Sequence, residues 1–512
     1  MKLTQRNKFL SYCVLPVLVV AACMPALAQM TSVGVDCSQV SALGIYKQDN
    51  MRAGRVMIEC GLAPAGRPVS GAVVAPAIAN ARVSNRTCAT NSNCTKSENM
   101  IWGNGLNLVD NYNDHNANFG SYSGVSYSTN GGTGWHEIQP PPFATGHGTN
   151  FGDPIVVYNA KLGKFFAGDL VSGADCGGQG IGLWTSANGI AWTVGGCAHV
   201  GSSDDRESMW VDNEPTSGTY GRMYVSWNDF ANGADLAVTY SDDGVVWTAP
   251  NYLTNGFIRD VQLTGSPVGA ARFEGANSTV FIATMDEGGG GLNTRQNVIF
   301  KSLDGGVTWS SFIMGPRFAA PGSVSCGYFE AIAPIWRHMG WGQPAVGPNG
   351  VVHYAFAGAG TGGDTGDIFY TQSVDNGVTW SAAVKLNTDA DSSTHTQWMP
   401  SVSADKTGKV TATWYDRRKA STACNVATDV GCKYEEVGRI SLNNGALFGA
   451  EVTISSTLIA QPQQTDPGVQ ACYVGDYDYD TNQNGVAYVT WTDGRRAVGG
   501  IHVQDVEFAK AP

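Results

Sequence analysis

Ser302 to Trp309 reads SLDGGVTW, and Ser373 to Trp380 repeats it as SVDNGVTW. Looser copies are STNGGTGW (Ser128 to Trp135), SANGIAW (Ser186 to Trp192) and SDDGVVW (Ser241 to Trp247), with SLNNGALF from Ser441 to Phe448 as a degraded sixth. The closing aromatic therefore recurs at 135, 192, 247, 309, 380 and 448, at intervals of 55 to 71 residues. Such spacing is too long for helical solenoid repeats and suits one four-stranded antiparallel sheet per unit. Within the phrase, Asp or Asn caps a tight turn through backbone amides, Gly supplies a positive φ, and Trp fills a gap between sheets.

The phrase resembles the Asp box, or bacterial neuraminidase repeat, whose pattern is S-x-D-x-G-x-x-W, over most of the chain from about Glu98 onward. The resemblance implies an all-β propeller in which the box is a structural turn between the outer strands of a blade, remote from any active site. Sialidases, other polysaccharide-active enzymes and non-catalytic receptors share the box, so it implies a fold more than a function.

Outward from the boxes, apolar runs that follow a Gly turn mark the second strand of each unit. They include GRMYVSWND at Gly221, NGVVHYAF at Asn349, GKVTATWYDRR at Gly408 and NGVAYVTWTDGRR at Asn484. Their number predicts a seven-bladed ring, with six blades and one unit set aside as the alternative. The last unit has no box and only three strand-like runs, while 79–84 is a strand-like orphan ahead of the first. The N-terminal strand is therefore expected to complete the final blade, making 79–512 one closed propeller.

Residues 29–78 form a prefix without a box. Val40, Leu43, Met51, Val56 and Met57 return at near-helical intervals, with Asp36 or Ser38 available as caps. Residues 1–28 read as a secretory leader, with a basic start, an apolar run from Phe9 to Cys23 and an Ala26-Leu27-Ala28 cleavage site. The alternative is a lipoprotein box ending at Cys23. The remaining cysteines are even in number, which in an exported chain predicts disulfides. Proximity pairs Cys37 with Cys60, Cys88 with Cys94, Cys176 with Cys197 and Cys424 with Cys432, leaving Cys326 for Cys472.

The formal charge is −12 with only 14% charged residues. That argues against nucleic acid or an anionic membrane surface as partner and leaves an acidic ligand dependent on local arginines. No HExxH, GxSxG, P-loop or CxxC pattern is present.

The order of features within a unit puts the boxes and the first Gly turns on one face. The irregular loops gather on the other, where function is expected. Candidate catalytic residues there are Tyr328, Glu330, Glu207 and Asp476; candidate substrate-binding residues are Arg206, Arg259, Arg417, Arg495, His395 and Tyr473. Arginine's planar fork matches a sugar carboxylate, and paired carboxylates or a Tyr activated by a Glu supply acid and nucleophile. The near-duplicates WYDRR (Trp414 to Arg418) and WTDGRR (Trp491 to Arg496) favour a repeated structural role, Asp pairing Arg between adjacent blades, over ligand contact. Asp480, Asn482 and Asn484 before Gly485 look like part of a calcium loop, but Trp491 stands where the twelfth-position Glu would be.

The resemblance implies a sialidase-type glycoside hydrolase, with an arginine triad for the carboxylate, a Tyr–Glu nucleophile and an Asp acid/base. The Phe-Arg-Ile-Pro motif that carries the first arginine in that family is absent, and Phe257-Ile258-Arg259-Asp260 is a distant echo. The alternatives are a non-catalytic glycan- or protein-binding propeller and a polysaccharide lyase of propeller form.

Overall fold

The structure, a computed structural model, describes residues 29–66, 79–84, 94–116, 121–138, 143, 145–269, 275–332, 336–391, 395–419, 432–483 and 485–511. The leader, Cys88, Cys424 and Asn484 lie outside them. The chain forms a seven-bladed β-propeller. The innermost strands of blades I to VII are Lys96–Asn104, Ile155–Asn159, Asp204–Val211, Arg259–Gly265, Gln343–Val346, Gln397–Ala404 and Thr481–Gln483. Each apolar run singled out in the sequence is the second strand of its blade, as Met223–Asp229 is in blade III and Val410–Asp416 in blade VI. Both faces of these strands are buried, which is why they read as near-continuous apolar runs.

The ring closes as its edges require. In blade VII the order runs Thr481–Gln483, Val486–Asp493, Asp505–Ala511 and then Ala81–Arg82, so the outermost strand comes from the N-terminal side of the ring. Ala81 pairs antiparallel with Phe508 and Arg82 with Glu507. A second tie crosses the same seam, where Asp478–Tyr479 pairs in parallel with the inner strand of blade I. No blade edge at the seam is left to template aggregation.

Every copy of the repeated phrase folds into the same turn between the third and fourth strands. In the blade IV copy the Gly306 amide donates to Ser302 Oγ at 2.8 Å, the Val307 and Thr308 amides donate to Asp304 at 3.1 and 2.9 Å, and Trp309 Nε1 donates to the Gly306 carbonyl at 3.1 Å. Asn443 in the degraded copy still accepts from the Leu447 amide at 3.0 Å. The glycine is also a contact with the preceding blade: a Cβ on Gly132 would lie 2.1 Å from Phe508, and one on Gly377 2.8 Å from Phe281. Trp309 and Trp380 pack against clusters shared by blades III and IV and by blades IV and V. The phrase is thus a clamp between neighbouring blades.

Three disulfides join the pairs expected by proximity and elimination: Cys37–Cys60, Cys176–Cys197 and Cys326–Cys472. Cys94 and Cys432 are also disulfide-bonded; Cys88 and Cys424, proposed for them, are outside the described residues. No described helix is long and apolar enough to cross a membrane.

The prefix is less helical than its periodicity suggests. Asp36 caps only a three-residue 3-10 turn at Cys37–Gln39, because Gly44 in the left-handed region (φ 62°) breaks the chain direction. The α-helix is Met51–Glu59, capped by Asn50, whose side chain accepts from the Ala53 amide at 2.8 Å. A small core of Val35, Val40, Ile45, Ala53 and Val56 holds this unit together.

Candidate functional site

Four inner strands carry a bulge near the irregular face, between Ser97 and Asn99, Asp205 and Ser208, Arg259 and Gln262, and Trp398 and Ser401. Each bulge holds a non-glycine residue at positive φ: Glu98 (46°), Arg206 (59°), Asp260 (62°) and Met399 (49°). Such backbone costs of order 1 kcal/mol or more per residue and clusters where side chains must be re-aimed. In blades III and IV the bulges set Asp205 and Arg206 against Arg259 and Asp260.

What they build is a buried charge cluster. Arg206, Arg259 and Arg337 are each at most 1% exposed. Arg206 pairs with Asp260 at 3.0 Å and lies over the Tyr477 ring, 3.9 Å from its centroid, with Trp341 at 4.6 Å. Arg259 pairs with Asp205 at 2.9 Å and lies over Phe257. Arg337 pairs with Asp476 at 2.6 Å, donates to Gln470 Oε1 at 2.7 Å and lies over Phe329 and Tyr473. Aromatic rings thus fix all three guanidinium planes and keep water from them.

Beside Arg337 stands a tyrosine–glutamate pair. Tyr473 donates its hydroxyl to Glu98 Oε2 at 2.6 Å, Asn113 donates to both partners, and the Asp476 amide donates to Glu98 Oε1 at 2.8 Å. Acids outnumber arginines here, and their carboxyl pKa values rise. Burial, then the charges of Asp476 and Asp49, pushes the Glu98 carboxyl well above the usual range. Burial does the same to Asp153 and Glu207, and lifts Asp260 and Asp476 to about 7 against the pull of Arg206 and Arg337. Asp260 and Asp476 are thereby poised to give or take a proton near neutral pH.

The prefix closes the irregular end. Asp49, 1% exposed, puts its carboxylate 3.3 Å from Arg206 Nε and 3.6 Å from Arg259 Nη1. Its amide donates to Asp205 at 3.1 Å, Asn50 Nδ2 donates to the same carboxylate at 2.5 Å, and Gln48 donates to Ser203 at 2.9 Å. Asp49, Asp153 and Asp205 offer one oxygen each within 4.8 Å of one another, but Arg206 and Arg259 already sit against this group, which reads as an ion-pair network rather than a cation site. Toward the box face, the axial channel opens into a cavity of about 450 Å³ lined by Trp102, Trp210, Gln262, Ser403 and Tyr479.

The residues singled out from sequence divide. Arg206, Arg259, Asp476 and Tyr473 belong to the cluster, and Glu207 is buried beside Asp153. Tyr328 lies under the prefix, edge-on to Tyr46 at 6.3 Å and close enough to Glu287 for that charge to add to burial in raising its pKa. Glu330 is engaged by Arg295 at 2.6 Å; burial outweighs that arginine and lifts its pKa to about 7. Tyr473 and Glu98 are thus hydrogen-bonded to each other, whereas Tyr328 faces Glu287 and Glu330 faces Arg295.

Other arginines diverge. Arg417 lies over Trp398 and donates to Gln461. Arg495 turns back onto Asp493 at 2.8 Å, and Arg418 pairs with Asp416 in the matching position. The repeated Asp–Arg pair is thus a within-turn contact, two residues apart, rather than a bridge between blades. His395 lies 3.6 Å from Asp389, in the Arg418 group. Asp480 and Asn482 flank and enter the inner strand of blade VII, and the Asp480 carboxylate accepts from Thr413 Oγ1 at 2.7 Å.

Sequence reading did not single out Asp49, Glu98 or Arg337. Glu98 was recognisable only from its place in KSENM, the counterpart of DDRES and IRDVQ at the start of an inner strand. Arg337 and Asp49 stand outside any repeat.

The chain matches no family model and no curated protein sequence. Solved structures similar to it include a protein of unknown function from Dyadobacter fermentans (12% identity, 87% of this chain and 99% of that one, TM-score 0.41). An ulvan lyase of polysaccharide lyase family 25 gives 9% identity, coverage of 83% and 96%, and TM-score 0.44. The leech intramolecular trans-sialidase gives 11%, 82% and 68%, and 0.36. Likeness at this level carries no argument about chemistry.

Proposed function

We propose that this chain is an exported, sialidase-like propeller whose repeated phrase is the Asp box and whose axial cluster is a glycoside hydrolase site for an acidic glycan. The observation that carries the reading is the Tyr473–Glu98 hydrogen bond, 2.6 Å long, set beside three buried, aromatic-clamped arginines. The disulfides fit an oxidising compartment, as export by the leader requires.

In this reading the arginines hold the acid group of the substrate and place its anomeric carbon against Tyr473. Glu98 takes the phenol proton as the oxygen attacks, and a protonated acid, for which Asp153 is the first choice, gives its proton to the departing glycosidic oxygen. Water then cleaves the tyrosyl glycoside with the proton flow reversed, so the product keeps its anomeric configuration. Glu207, Asp476, Tyr328 and Glu330 would tune charge around the site, and Arg417, Arg495 and His395 would bear on the outer rim of the same face.

The test is a panel of sialosides, uronate polymers and sulfated glycans, scored for new reducing ends and for ultraviolet absorption by an unsaturated sugar. Turnover that falls about 100-fold or more in both Tyr473→Phe and Glu98→Gln, with no unsaturated product, is expected. Unsaturated product would make the protein a lyase, and binding without turnover would make it a lectin-like module.

A further inference from the structure

The described part of the prefix is a unit of its own, with its small core and its Cys37–Cys60 disulfide, set on the functional end of the ring. Most of its polar contacts to the ring are made by four consecutive residues and Arg52. Lys47 lies between the rings of Tyr46, Phe257 and Tyr328, 5.4 to 5.9 Å from their centroids. Gln48, Asp49 and Asn50 bond to Ser203 and Asp205, and Arg52 donates to Gln179. The cap on helix Met51–Glu59 fixes this turn, so the Asp49 side chain is delivered between Arg206 and Arg259.

The fit there is imperfect. Neither Asp49 oxygen receives a hydrogen bond, although both are buried. Arg206 Nε and Nη1 and Arg259 Nε and Nη2 likewise donate none. Arg206 keeps Asp260 at 3.0 Å and Arg259 keeps Asp205 at 2.9 Å, but the nitrogens without a hydrogen bond face carboxylates at longer range, Arg206 Nε the Asp49 group at 3.3 Å and Arg259 Nε the Glu287 group at 3.8 Å. A better-aligned anion fits in place of Asp49, since a fork-on-fork carboxylate pair reaches about 2.7 to 2.9 Å. A buried charge without hydrogen bonds is poorly compensated for the water it has lost, so the contact is weaker than the arginines allow.

We infer that Asp49 is a tethered internal ligand. It occupies the seat between Arg206 and Arg259 that accepts a carboxylate, and the prefix keeps the site shut until a carboxylate-bearing ligand displaces it. The inference deepens the proposed function, and rests on it for the statement that the displacing ligand is a glycan. The charge of Asp49 also contributes to raising the pKa of Glu98, Asp153, Asp205 and Asp476.

The experiment uses the full chain carrying Asp49→Ala, which removes a group the size of formate. Thermal unfolding is followed against a formate series, with formamide and chloride as controls. The expected result is a Tm below wild type that formate restores by half or more, saturably, while formamide and chloride restore nothing and wild type is unmoved by any of the three. Amide exchange of residues 47–53 in wild type is expected to quicken when glucuronate or N-acetylneuraminate is added. If the variant does not fold in plain buffer, refolding yield across the same formate series is read instead. No formate response in Asp49→Ala, or an equal response in wild type, overturns the inference. Formate rescue with no glycan turned over would leave the seat standing and overturn the hydrolase reading; turnover without rescue would do the reverse.

Discussion

Replacing Arg337 by Met should make the stability of the propeller strongly pH-dependent. The guanidinium is 1% exposed and 2.6 Å from an Asp476 carboxylate that is fully buried. Met keeps most of the aliphatic stem against Phe329 and Tyr473, so packing changes by less than about 1.5 kcal/mol. What is lost is the counter-charge, and stranding one member of a buried pair costs about 3–5 kcal/mol. Asp476 can escape part of that by keeping its proton. Its folded pKa, raised by burial to about 7 even with Arg337 present, is above the unfolded value of 3.8. A raised carboxyl pKa means the folded state binds a proton that the unfolded state has released, so stability falls as pH climbs from the unfolded value to the folded one. Arg337 ends that fall near pH 7; without it the fall continues. Urea unfolding followed by tryptophan fluorescence should therefore show Arg337→Met about 1–2 kcal/mol below wild type at pH 5.5, the cost of the Gln470 contact, and about 4 kcal/mol below at pH 9. Adding Asp476→Asn should flatten the difference. A gap that is the same at both pH values, or under about 1 kcal/mol at pH 9, would refute the reasoning.

Other expectations follow from the clamp, the seam and the disulfides. Ser373→Ala removes the acceptor of the Gly377 amide at 2.8 Å and should lower stability by about 1–2 kcal/mol in urea, with ligand binding at the opposite face unchanged. Cys326→Ser with Cys472→Ser unties residues 146 apart next to Tyr473 and should cost about 2–5 kcal/mol, read as a Tm drop under oxidising conditions and none under strong reductant. Val83→Asp buries a charge in the closing segment, packed fully inside with Val506 and Phe508, and should raise the protease sensitivity of blade VII before that of blades II to IV.

The boxes show why so much of the fold was legible. Ser302, Asp304, Gly306 and Trp309 satisfy one another within eight residues, so the turn is specified locally and survives as a pattern wherever it is used. The second strands are legible for a similar reason, since burial on both faces writes an unbroken apolar run. The within-turn pairs Asp416–Arg418 and Asp493–Arg495 also explain themselves locally, and their duplication in sequence pointed to structure rather than chemistry.

The site is a different kind of object. Glu98 and Tyr473 are 375 residues apart, Arg337 and Asp476 are 139 apart, and Asp49 meets Asp205 across 156. None of these pairs shares a repeat: Glu98 meets Tyr473 because ring closure brings the first and last blades together, and the other two pairs exist because residues far apart in the chain converge at the same end of the ring. The amino-acid sequence alone determined the turn that clamps the blades and the disulfides Cys37–Cys60 and Cys176–Cys197, because these rest on contacts that recur or lie near in the chain; seven blades, the closing strand and Cys326–Cys472 followed by counting and elimination, with six blades left open until the ring was seen. Only the tertiary structure decided which arginines meet, which tyrosine has a glutamate and what fills the space between them. Electrostatic contact follows distance through space, and at the axis of a wheel every blade is a neighbour.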